Sequence, residues 1–217
     1  MKGDQYGSGI AMGSVLWVIG CGMLAAASIL VAMSLPIASP DGNGVLAWVQ
    51  QHIMVLQAAD ELLSFSALIL VMSMLMLYRH LSKKHSVLAN IALAFVAIGA
   101  VAIVYAMFAL GRLIYPVNGL PITSEASLLS ASQLFAGLHM AAIMIASCII
   151  VLSIVVGSPW CIVVGFFAAA AQLIGTYYAG PVSTLLAVVA GVLLFLWSVV
   201  FGWVVFMNRP GCGQKEV

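Results

Sequence analysis

The chain has 217 residues, 65% of them hydrophobic and only 6% charged, with a formal charge of +1. Soluble domains are about 25% charged and about 45–50% apolar, so a water-facing fold cannot hide this much apolar surface, and the solvent is lipid. The seven Lys and Arg residues cannot build the clustered basic face that phosphate neutralisation requires, which excludes nucleic acid as a partner.

A membrane-spanning helix needs about 20 mostly apolar residues. Six segments meet this, at about 11–35, 55–79, 87–114, 130–156, 159–179 and 183–207. The fold expected is an all-α, six-transmembrane-helix bundle forming one integral membrane domain over residues 1–217. The first segment is longer than the apolar core of a signal peptide, and only Lys2 and Asp4 are charged ahead of it, so it reads as a retained helix. Pro36, Pro40 and the run Asp41-Gly42-Asn43-Gly44 end it. The amphipathic stretch Val45–Ala59 then either extends the second helix outward or lies along the membrane surface.

The second segment carries Asp60 and Glu61. A charge at the centre of a membrane helix costs about 2.5–3.5 kcal/mol on insertion scales, so such residues usually face protein or water. Gln57, Glu61 and Ser64 share one helical face, with Asp60 beside it. Two readings stand: a polar site within the membrane, or a helix start among the headgroups, where Asp60 suits the helix dipole. Met72, Met74 and Met76 alternate, so they form no single helical face and read as lipid-facing filler.

The loop Arg79-His80-Leu81-Ser82-Lys83-Lys84-His85 holds three of the seven Lys and Arg residues. Cytoplasmic loops collect such residues, so this loop and both termini are expected in the cytoplasm. Arg209 and Lys215 follow the last segment, whereas the outer stretches 36–50 and 115–129 carry Asp41 and Glu125 and no Lys or Arg. Trp48, Trp160, Trp203, Tyr78, Tyr115, Tyr177 and Tyr178 fall near predicted helix ends, at headgroup level. The expected location is the cytoplasmic membrane, as a multi-pass protein.

The third segment adds Tyr105 and Arg112, and a break follows at Pro116, Asn118-Gly119 and Pro121. The fourth carries Gln133 and His139. Tight turns at Gly157-Ser158-Pro159 and Ala179-Gly180-Pro181 make the last three segments antiparallel neighbours. Ala171, Gly175 and Ala179 on the fifth, and Ser183, Ala187 and Gly191 on the sixth, are small residues at a spacing that permits close helix packing in lipid.

At about 1.5 Å per residue, Glu61, Tyr105 and His139 stand about 25–27 Å from the cytoplasmic end, in one layer. Arg112 lies two turns higher with a side chain long enough to reach down. The candidate polar cluster is therefore Gln57, Asp60, Glu61, Tyr105, Arg112 and His139. His52 lies about 15 Å from the level of His139, too far for both to ligate one haem. One His with two carboxylates falls short of the usual zinc set, and no catalytic or nucleotide-binding motif is present. No catalytic residue, metal or cofactor is assigned. Cys21, Cys148 and Cys161 lie in apolar runs as small hydrophobes, and Cys212 sits in the polar tail.

The run from Asp60-Glu61 through Leu77-Tyr78-Arg79-His80-Leu81-Ser82-Lys83-Lys84-His85-Ser86 resembles the second helix and basic loop of a prokaryotic family of small six-helix membrane proteins of unknown function. Leu193-Leu194-Phe195-Leu196-Trp197 and Gly202-Trp203 are similar to that family's last helix. The resemblance implies a six-helix fold and carries no activity.

Three classes of function remain open. The first is a non-catalytic membrane subunit or assembly partner, in contact with the bilayer and with other membrane subunits or further copies of itself. The second is a small transporter or proton-linked carrier using Asp60, Glu61, Arg112 and His139. The third is an intramembrane enzyme.

Overall fold

The computed structural model describes residues 2–115, 121–177 and 184–208, with side chains from Gly7 onward. The expected break at Pro116–Gly119, the turn at Ala179-Gly180-Pro181, and the tail with Arg209, Cys212 and Lys215 lie outside the described residues. Among those described there are seven helices and no strand: α1 (Lys2–Met33), α2 (Gly42–Gln51), α3 (Ile53–Leu81), α4 (Ser86–Ile114), α5 (Ser124–Val156), α6 (Pro159–Gly175) and α7 (Thr184–Met207). Five are long and apolar enough to cross a membrane: α1, α3, α4, α5 and α7. The chain has the make-up of a multi-pass α-helical membrane protein.

Local chemistry explains the boundaries. Asp41 caps α2, its carboxylate accepting from the Gly44 N–H at 2.8 Å. Thr123 caps α5 through the Ala126 N–H at 3.3 Å. Gly157 ends α5 at φ +71°, a left-handed conformation that costs glycine nothing. Pro159 opens α6 at its first position, where a missing N–H is harmless.

The amphipathic stretch Val45–Ala59 divides at His52, whose backbone N–H bonds Trp48 and Val49 carbonyls: its first part belongs to the separate helix α2, and residues 53–59 extend α3 outward. The Trp48 indole N–H donates to the Ser34 carbonyl at 2.9 Å, and the Ser127 hydroxyl donates to the Gly42 carbonyl at 2.9 Å. A Cβ on Gly42 would collide with the Ser124 backbone, so α2 lies directly on the first turn of α5.

The other six helices close a ring. Going round it, α1 packs on α3, α3 on α4, α4 on α5, α5 on α6, α6 on α7, and α7 on α1. Neighbours run antiparallel. At one end the Lys84 ammonium donates to the Val156 carbonyl at 3.0 Å, and a cavity is shared by Lys84, Val156 and Asn208. The loop after α3 and the C-termini of α5 and α7 therefore meet at that basic end. At the other end lie α2 and the start of α5.

The middle of the ring is filled. Trp17, Trp197 and Phe201 are at most 1% exposed and stack on one another, with ring centroids 5.2–6.2 Å apart. The Trp197 indole N–H donates to the Ser153 hydroxyl at 3.0 Å, tying α7 to α5. Cys21, Cys148 and Cys161 are buried thiols without disulfides. Large apolar side chains such as Phe65, Leu68, Val101, Phe108, Phe166 and Leu185 are exposed on the perimeter, as a lipid-facing surface requires. The methionines divide: Met72 faces outward, but Met74 is fully buried, which corrects the reading of the whole run as lipid-facing filler.

The small-residue stripes do open close helix contacts, with different neighbours. Gly175 faces α7, where a Cβ would stand 2.8 Å from the Ala190 Cβ and 2.9 Å from the Leu186 carbonyl oxygen. Gly191 faces α1 instead, beside Ile29 and Ala25. The two glycines each open a close helix contact, but not with each other.

Candidate functional site

The six candidate polar residues all lie toward the end of the ring that carries α2, but they do not form one cluster. Asp60 is 7% exposed and turns inward from α3 toward α4. Gly111 leaves room for it: a Cβ there would lie 3.8 Å from Asp60 Oδ1 and 3.9 Å from Oδ2. The Asp60 Oδ1 atom is fully enclosed and, among the described residues, accepts no hydrogen bond. Such an atom is rare in a native structure and calls for an account.

The surroundings of Asp60 are only partly polar. The Ser64 hydroxyl donates to the Asp60 backbone carbonyl at 3.0 Å and also to the Met107 sulfur at 2.9 Å, which pins α3 to α4 just below. Above, Tyr115 ends α4 near both Asp60 and Glu61. Its phenol is held above the usual range, first by loss of surrounding water and then by the two carboxylates.

Glu61 is exposed on the outer face of α3, and Gln57 is half-buried one turn earlier. Arg112 is exposed at the end of α4, on the wall of a cavity of about 430 Å³ shared with Leu46, Val49, Gln50 and Ile53. Tyr105 is 47% exposed on the lipid-facing side of α4. His139 looks the other way. Its Nδ1 lies 3.3 Å from the Thr176 hydroxyl, and its ring meets Tyr177 edge-on at 5.6 Å.

The layer inferred from depth is thus divided between two sides of the ring. Helix α6, which His139 faces, stands opposite α3, and α4 and α5 intervene. Among the described residues no salt bridge joins Glu61 to His139 or Arg112. Depth was only roughly legible in the sequence: Asp60 stands level with Gly111 and Ser64 with Met107, which sets Glu61 about a turn above Tyr105. Rotation about the helix axis was not legible, because it depends on which face each neighbour covers. What survives is a pair, Asp60 and Glu61, with Tyr115 above it and Arg112 at the mouth.

Sequence reasoning missed the polar bonds between the later helices. The Gln172 side-chain amide donates to the Ala190 carbonyl at 2.9 Å, and the Thr176 hydroxyl donates to the Gln172 carbonyl at 2.6 Å. A Gln in the last turn of a short apolar helix was the available signal, since a buried polar group in lipid must find a partner. Among the described residues no three His, Cys, Asp or Glu side chains converge as metal ligands would.

No family model matches the chain, and no curated protein or solved structure matches it either. The functional reading rests on the molecule's own geometry.

Proposed function

We propose that this chain is a non-catalytic integral membrane protein that serves as a subunit or assembly partner of a membrane complex. In this reading six helices cross the cytoplasmic membrane, α6 included, with the basic loop and both termini inside. The observation that carries it is the filled centre of the ring. Trp17, Trp197 and Phe201 occupy the place where a carrier of this size would keep its substrate path, while most of the outer surface is apolar. Helix α6 rises about 25 Å over its 17 residues, short of a bilayer core of about 30 Å. Its contacts with α5 and α7 along the ring support a crossing all the same.

The test is the mass of the particle extracted in two mild detergents, measured by light scattering. The proposal expects a fixed assembly larger than one chain, of the same stoichiometry in both. A monomer in both detergents contradicts it.

A second reading, a proton-linked carrier, has one specific observation in its favour. Asp60 is buried with an oxygen that lacks a partner, and a carboxyl group inside the membrane marks proton relays. Asp60→Asn decides this. In proteoliposomes with an entrapped pH dye and an imposed membrane potential, the carrier reading expects a proton flux that Asp60→Asn abolishes. The subunit reading expects no flux above that of empty liposomes. It also expects Asp60→Asn to melt at the same or a higher temperature, because no hydrogen bond to Oδ1 is lost.

A further inference from the structure

The second polar end of the molecule lies opposite Asp60. There the loop after α3 meets the C-termini of α5 and α7 around a cavity of about 410 Å³. His80, Lys83 and Lys84 line it on one side, and Val156, Val205 and Asn208 on the other. No Asp or Glu is among its described lining residues. The volume falls in the range of about 300–1,000 Å³ typical of small-ligand sites.

We propose that this cavity binds the phosphate headgroup of an anionic phospholipid. Two observations converge on that chemistry. The charged side chains among its described lining residues, Lys83 and Lys84, are both cations. One of them is already placed: the Lys84 ammonium is fixed by its bond to the Val156 carbonyl at 3.0 Å. An ammonium has three N–H donors, so two remain after that bond. The Val156 carbonyl is one of the last of α5, at the negative end of that helix, which is what holds the ammonium in place.

The opposite wall explains why the anion belongs to a lipid. Val155, Val156 and Val205 present hydrocarbon beside the cations, at the level where the apolar helices α3, α5 and α7 end. A free phosphate would be poorly served by that wall. A glycerol backbone and the first methylenes of an acyl chain would lie against it. Basic pockets between membrane helices on the cytoplasmic side bind anionic headgroups by the same logic, aided by the negative potential of that leaflet. The site stands whether or not the chain assembles with partners.

The experiment uses the full chain in a neutral detergent and reads thermal unfolding. Short-chain phosphatidylglycerol is compared with phosphatidylcholine of the same acyl length and with inorganic phosphate. The proposal expects a saturable rise with phosphatidylglycerol, about 5–10 °C at one hundred times the dissociation constant, and little with the other two. An equal rise with phosphatidylcholine overturns it, since charge would then play no part. An equal rise with inorganic phosphate overturns the lipid assignment. Lys83→Gln should weaken the effect. Lys84→Gln also frees the Val156 carbonyl and endangers the fold, so the decisive variant is Asn208→Glu. Asn208 is exposed at the cavity's edge, and a carboxylate there repels the headgroup without entering the packed core. An undiminished phosphatidylglycerol effect in Asn208→Glu and Lys83→Gln together places the lipid elsewhere and overturns the proposal.

Discussion

Asp41 shows how one side chain sets a boundary. Its carboxylate accepts the Gly44 N–H, and this bond, followed by that from the Ser39 side chain, holds it below the usual carboxylate range. A group whose folded value is depressed contributes stability that is complete above its unfolded value and is lost as pH falls through the folded value. The start of α2 should therefore loosen as pH drops below the ordinary carboxylate range. Hydrogen exchange of the α2 amides, corrected for its intrinsic pH dependence, measures this. Asp41→Asn keeps a competent cap and should flatten the acid response. An unchanged acid response in that variant would mean another group is responsible. The cap was legible in Asp41-Gly42-Asn43-Gly44, because Asp before a helix start offers an acceptor to unpaired N–H groups. The solitary oxygen of Asp60 was not legible, because its isolation depends on how α4 turns Gly111 toward it.

At the scale of the helix, close approach is the governing variable. Without water between them, helices in lipid associate through contact, and contact is set by the smallest residues. A Cβ on Gly137 would stand 2.9 Å from the Ala106 Cβ and 3.0 Å from its backbone nitrogen, where α5 crosses α4. The Gly175 position is equally closed by Ala190 and Leu186. Because backbone atoms form part of both walls, the helices must separate to admit a methyl group. Gly137→Ala and Gly175→Ala should each cost about 1–3 kcal/mol. Gly9, with nothing within 4 Å of a built Cβ, serves as the control. Gly9→Ala should cost nothing, or stabilise α1 slightly through helix propensity. Thermal melting in detergent reads all three. Equal behaviour of the three variants would show that close approach does not hold the ring together.

The helix ends were legible because punctuation coincides with the ends of apolar runs: Pro36 after α1, the basic loop after α3, Gly157 after α5 and Pro159 at α6. Two starts were not: α1 begins at Lys2 rather than 11 and α5 at Ser124 rather than 130, because polar residues ahead of the apolar run join the same helix. The partners of each stripe were harder. Gly191 meets α1 rather than α6 because the ring closes through α7 and α1, a contact between the two ends of the chain that no local pattern announces. The seat of helix α2 was not legible for a related reason. Ten residues of amphipathic sequence define a face to be covered but do not say that the first turn of α5 will cover it.

At the scale of the whole molecule, two ends differ in chemistry. One gathers His80, Lys83 and Lys84, and the other carries Asp41, Asp60, Glu61 and Glu125 together with Arg112. Between them stands a ring of antiparallel helices with an aromatic centre. This separation of charge was legible, because charge is so scarce in the sequence, and it is the ground for the proposed orientation. The central claim is that all six helices of the ring cross the bilayer with the basic end inside. Single cysteines at Asn43, Lys83 and Asn208, all exposed positions, test it in a background without native cysteines. With an impermeant thiol reagent on intact cells, Asn43→Cys should label, whereas Lys83→Cys and Asn208→Cys should label only after the membrane is opened. Labelling of Asn208→Cys in intact cells with Lys83→Cys protected would mean that α6 does not cross, and labelling of Lys83→Cys with Asn43→Cys protected would mean that the molecule is inverted.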